Sequence, residues 1–202
     1  MNFFGHAAVA SWTCPAPGTV LGAMLPDFAT MIRARLADAT DRDVADGIAH
    51  HHATDARFHG LPAVLGLMRE LDERLAGLGC ARGPRRAVAH IGVELLLDGV
   101  LVGNLEYRDA YASALAHDPA GVRWRDDDGP ARLATLLARL RTHGVPDDLR
   151  RPHAITQRLH RMLAHRPLLA PSPADLEAID RALVGYQPRV EAAADTILRA
   201  LR

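Results

Sequence analysis

The amino-acid sequence predicts an all-α protein, a helical bundle built as one domain over residues 1–202. Three observations lead there. Helix formers, Ala and Leu above all, dominate the chain. No stretch alternates β-branched residues in the period-two pattern of a strand. Hydrophobic residues make up 49% of the chain, enough to bury a substantial core at this length.

Pro, Gly and capping residues divide the chain into helices. The spacing predicts a first helix over residues 2–11, a Pro/Gly break at 15–18, and a second helical stretch over 21–37, bent or begun near Pro26. Asp41 reads as the N-cap of a helix over 42–58. The Gly60–Pro62 signal opens the next helix, which runs to Leu78, and residues 79–83 form a loop. Pro84 suits the first turn of a long helix over 85–102. A helix over 104–116 follows, then a loop over 117–130 (HDPAGVRWRDDDGP). Helices over 131–142, 147–165 and 172–201 complete the chain. Ser172 with Asp175 reads as a capping box in which Asp replaces the usual Glu. No internal repeat or low-complexity tract interrupts the pattern.

Charge and cysteine content narrow the function classes. The formal net charge is +0, which argues against a nucleic-acid partner. All 24 basic residues are Arg. The two cysteines, Cys14 and Cys80, are too few for a disulfide framework and have no CxxC spacing. They are expected as reduced thiols, consistent with a cytoplasmic protein. The first twelve residues have no basic n-region and include His6, unlike a signal peptide. The apolar run over 91–102 is too short to span a bilayer and contains Glu94 and Asp98.

Histidine is the unusual residue, with 11 copies, several of them inside helical patterns. In the helix over 85–102, His90, Glu94 and Asp98 recur at i, i+4 and i+8 and so share one face. That helix is apolar almost all round and is expected to be buried. A buried carboxylate needs a positive partner, either Arg, protonated His or a metal ion. In the helix over 42–58 and just beyond it, His51, Asp55 and His59 repeat the same spacing, and His52 could replace His51. Two imidazoles and a carboxylate on one stripe suit Zn, Mn or Fe. Helices in a bundle can project such stripes into one site. His6, in an otherwise apolar first helix, and Asp27, just after Pro26, fit the same site.

These residues also carry a family resemblance. The opening MNFFGHAAVA, the segment LGAMLPDF, the stretch VADGIAHHHATDARFH, and the later MLAHRPLL and VGYQPRV resemble, in order, segments of bacterial acyl-carrier-protein phosphodiesterases. The resemblance implies an HD-domain-like helical fold. It also implies a metal-dependent phosphodiesterase, commonly Mn-dependent, that removes the phosphopantetheine arm from acyl carrier protein. His6, Asp27, His51 and Asp55 match family positions. The chain departs from the family at His59, where the family has Asp, and on the central helix. There the family has Asp followed by Asp-His, and this chain has His90 followed by Glu94-Leu95. More imidazole shifts metal preference from Mg or Mn toward Zn or Fe. The HxxxD and HxxxE spacings are similar to those of zinc-dependent phospholipase C, by analogy alone.

The expected function is hydrolysis of a phosphodiester, with one or two divalent ions (Mn, Zn or Fe) held by His6, Asp27, His51, Asp55, His90 and Glu94. Asp55, His59 and Asp98 are the candidates for base or supporting roles. Arg57 or Arg166 is available to hold phosphate. The expected partner is acyl carrier protein or a small phosphodiester. Two other readings are a dinuclear iron oxygenase on the same scaffold and a helical binding module without catalysis.

Overall fold

Helix signals in this sequence are local, and they place most of the structure. The computed structural model describes residues 1–202, of which 78% are helical. The helices are α1 Phe3–Thr13, α2 Pro17–Ile32, α3 Arg42–Gly60, α4 Pro62–Gly77, α5 Arg82–Leu101, α6 Leu105–Ala116, α7 Gly129–His143, α8 Pro152–Leu163 and α9 Pro173–Leu201. No single helix is long and apolar enough to cross a membrane.

Side-chain caps mark several starts. Asp41 Oδ1 accepts from the amides of Asp43 (2.9 Å) and Val44 (3.3 Å), opening α3 where its sequence predicts. Asn104 caps α6 through the amides of Glu106 and Tyr107. At α9, Ser172 Oγ accepts from Asp175 N (3.2 Å) and Asp175 Oδ2 accepts from Ser172 N (2.9 Å), so the Ser–Asp pair forms a complete capping box.

Three sequence expectations need correction. The second helix begins at Pro17, continues past Pro26 and stops at Ile32, short of residue 37. Arg33 there takes the left-handed conformation (φ 54°), and Arg132 Nη1 donates to the Ile32 and Arg33 carbonyls, both at 3.2 Å. Residues 147–165 do not form one helix. A turn of 3-10 helix, Asp147–Arg150, precedes α8. Pro152 forces Arg151 into an extended conformation (φ −115°, ψ 113°), which separates the two. The chain also contains two strands, β1 Leu36–Ala39 and β2 Val122–Trp124, where none was expected. They pair antiparallel with Asp38 opposite Arg123 and Ala39 opposite Val122. Arg–Asp pairs hold them, Arg123 to Asp38 within the ladder and Arg35 to Asp126 at its end. The pairing is tertiary, so LADA carries no β signature.

The chain packs as two compact units, each discontinuous in sequence. The first comprises Met1–Ala56 and Leu101–Pro146. In it α1 packs on α2 and α6, and α2 also packs on α6 and α7. Its centre is aromatic, with Phe3 against Phe28 and both Phe3 and Phe4 against Tyr111. The second unit comprises Arg57–Val100 and Asp147–Arg202. There α9 packs on α4 and α8. Buried Leu67, Leu71 and Leu75 of α4, Ile155, Leu159 and Leu163 of α8, and Ile179, Ala182 and Leu183 of α9 supply its core. Tyr186 satisfies its hydroxyl by donating to the Leu67 carbonyl at 2.8 Å.

Candidate metal centre

Two glycines set the geometry of the first unit's polar site. A Cβ on Gly22 of α2 would lie 2.2 Å from the Val44 carbonyl oxygen, and one on Gly47 of α3 would lie 2.1 Å from that of Thr19. Only glycine allows the two helices to approach this closely. One residue beyond Gly22, the Ala23 carbonyl therefore comes within 2.8 Å of Nδ1 of His51, one turn beyond Gly47. A carbonyl can only accept, so Nδ1 carries the proton and Nε2 keeps its lone pair. This is the tautomer and the kind of supporting bond that metal-ligating histidines use.

His51 stacks on His6 of α1, ring centroids 3.8 Å apart. Both are buried, His6 completely. Burial, followed by the proximity of His6, pulls the His51 pKa down to about 4. The ring is thus neutral at physiological pH, as a metal ligand must be. Asp27 of α2 completes a group in which one ligand atom each from His6, Asp27 and His51 lies within 4.8 Å of the others. Asp55, one turn beyond His51, reaches the same histidine: its Oδ1 is 3.5 Å from His6 Nε2 and accepts from the Met1 ammonium at 2.7 Å. Imidazole nitrogens from His6 and His51 with the Asp27 carboxylate, and Asp55 beside them, are donor types that suit a divalent transition-metal ion. His52 points to solvent and does not replace His51.

Neither protein-family models, nor curated proteins, nor solved structures yield a match to this chain. The chemistry of the site therefore rests on its own donor atoms.

The remaining predicted residues lie in the second unit. His59, His90 and Glu94 form another group with ligand atoms within 4.8 Å of one another. The expectation that the helix carrying His90 is buried all round holds for residues 92–98 but not for its earlier turns. His90 has half its side chain exposed, while Glu94 is 10% exposed. Burial works to raise the Glu94 carboxyl, but the hydrogen bond from His90 leads the effects that hold it below its usual value. Asp98 is buried one turn further on and falls outside this group. Arg57 donates to the Leu201 carbonyl at 3.3 Å, where it caps the end of α9. Arg166 is exposed in the turn after α8. Cys80 is buried, with its thiol pushed up to about 12 by burial and the Asp175 charge, so it is no nucleophile.

Sequence reasoning missed the Ala23 carbonyl and the glycine crossing that delivers it. A signal was present: glycine inside a helix costs about 1 kcal/mol relative to Ala, so Gly22 and Gly47 needed a packing reason.

Proposed function

We propose that this protein is a metal-dependent phosphodiester hydrolase whose ion is held by His6, Asp27 and His51, with Asp55 beside them. The observation that supports this best is the committed tautomer of His51, bonded to Ala23 through Nδ1 so that Nε2 keeps its lone pair, in a residue grouped with His6 and Asp27. A hydrogen-bonded core histidine alone would not need two further donors around it. A bound divalent ion would polarise a phosphoryl oxygen and acidify a water. Asp55 is the residue placed to take a proton, being 36% exposed and next to His6. The buried faces of α1 and α2 keep bulk water from the donors and strengthen electrostatics there. The resemblance to acyl-carrier-protein phosphodiesterases favours phosphopantetheine on acyl carrier protein as substrate, or a smaller phosphodiester.

The test is hydrolysis of bis-p-nitrophenyl phosphate, and mass loss from holo acyl carrier protein, by metal-free protein reloaded with Mn or Zn. Turnover is expected with at least one metal. His51→Ala and Asp27→Ala should lower it by more than the roughly 10–100-fold typical of losing a supporting residue. No hydrolysis with any metal would sink the proposal. Iron in the purified protein with an oxygen-dependent spectrum would replace it with the oxygenase reading.

A further inference from the structure

The group in the second unit has its own geometry. His59 closes α3, and His90 and Glu94 lie one turn apart on α5. Both imidazole Nε2 atoms face the same oxygen, Glu94 Oε1, from 3.4 Å (His59) and 3.1 Å (His90). The rings stack at 4.7 Å with an angle of 15° between them.

We propose that His59, His90 and Glu94 form a transition-metal site of their own, suited to zinc and its borderline-soft neighbours rather than magnesium or calcium. This goes beyond the hydrolase reading and stands whether or not the first group supports turnover.

An ion-pair account fits the arrangement poorly. Serving one carboxylate oxygen with two charged imidazoles would put two parallel cations in ring contact. The 3.4 Å separation also lies beyond the usual 2.7–3.2 Å of an N–H···O bond. A single ion answers both points, because it needs neutral rings and replaces two protons with one shared charge. Donors at about 2.0–2.2 Å from a tetrahedral zinc sit roughly 3.3–3.6 Å apart, close to the separations already present. Glu94, nine-tenths buried, supplies a fixed carboxylate, while His90 opens one side to solvent. Three protein donors with an open side leave a position for exchangeable water, as in reactive zinc sites. Two nitrogens and a single carboxylate are a poor set for magnesium or calcium, which take oxygen donors.

The test uses full-length, metal-free protein titrated with Zn²⁺ against a chromogenic chelator, with excess Mg²⁺ present. The parent is expected to bind two equivalents. His59→Ala and His90→Ala should each lose one, and Glu94→Gln should weaken that equivalent at least tenfold. His51→Ala should lose the other equivalent, and His143→Ala, at an exposed histidine outside both groups, should lose none. Melting in chelator shows whether each variant is folded. His90, half exposed, is the variant least dependent on packing. If His59→Ala and His90→Ala bind as much zinc as the parent, this site is overturned while the first survives. If His51→Ala retains full binding while His59→Ala and His90→Ala each lose one equivalent, the first site fails and this one stands. A parent that binds no zinc overturns both.

Discussion

At the scale of single residues, His51 is the most constrained group in the first unit. One ring nitrogen is committed to Ala23, the ring is stacked on His6, and the pKa is held near 4. Histidine in an unfolded chain titrates near 6.5. Between those values the unfolded state binds a proton that the folded state refuses, so folding stability rises with pH. The limiting slope from this residue is about 1.4 kcal/mol per pH unit. Above 6.5 both states are neutral and the dependence vanishes. Urea unfolding of metal-free protein should therefore lose stability on acidification from pH 6.5 to pH 4, and His51→Gln should flatten that loss. Equal profiles for parent and variant would show that His51 is not held neutral. The i, i+4, i+8 spacing shows in the sequence which His and carboxylate residues share a helix face. It does not show what that face meets. The choice between His51 and His52, and the pairing of His59 with Glu94, depend on neighbouring helices and become visible only in the structure.

At the scale of elements, the α2–α3 crossing links packing to chemistry. Gly47→Ala would put a methyl 2.1 Å from the Thr19 carbonyl, so the helices must separate. Overpacking of this kind costs about 1–3 kcal/mol. The separation should also lengthen the His51–Ala23 bond. The expected outcome is a lower melting temperature together with weaker metal binding, read by calorimetry and by zinc titration. Gly66→Ala on α4, where nothing lies within 4 Å of the added carbon, should be neutral or stabilising by up to about 1 kcal/mol. Similar effects from the two would show that the crossing does not position the site. Helices with chemical start signals, α3 from Asp41 and α9 from Ser172, are legible in the sequence because a cap is local. The β1–β2 pair is not, because an Arg–Asp contact across more than eighty residues holds it.

At the scale of the whole molecule, the two donor groups add a ligand-dependent part to the stability that the apolar core supplies. The chain has a formal net charge of +0 and two compact units, each discontinuous in sequence and each with one group of convergent donors. Each group gathers His and carboxylate side chains that apolar residues of similar volume would replace at little or no cost. A ligand that binds only the folded state returns stability by mass action, about 2.7 kcal/mol at one hundred times its dissociation constant. For a chain of this size 1 kcal/mol moves the melting temperature by roughly 2–4 °C. Stripping metal with chelator should therefore lower the melting temperature by roughly 5–10 °C, and re-adding zinc should restore it. The His51→Ala and His90→Ala variants should each keep part of that response, and the double variant should lose it. If chelator leaves the parent's melting unmoved, neither group holds an ion that matters to the fold. The reading then passes to a helical binding module whose histidines pair with carboxylates and nothing else.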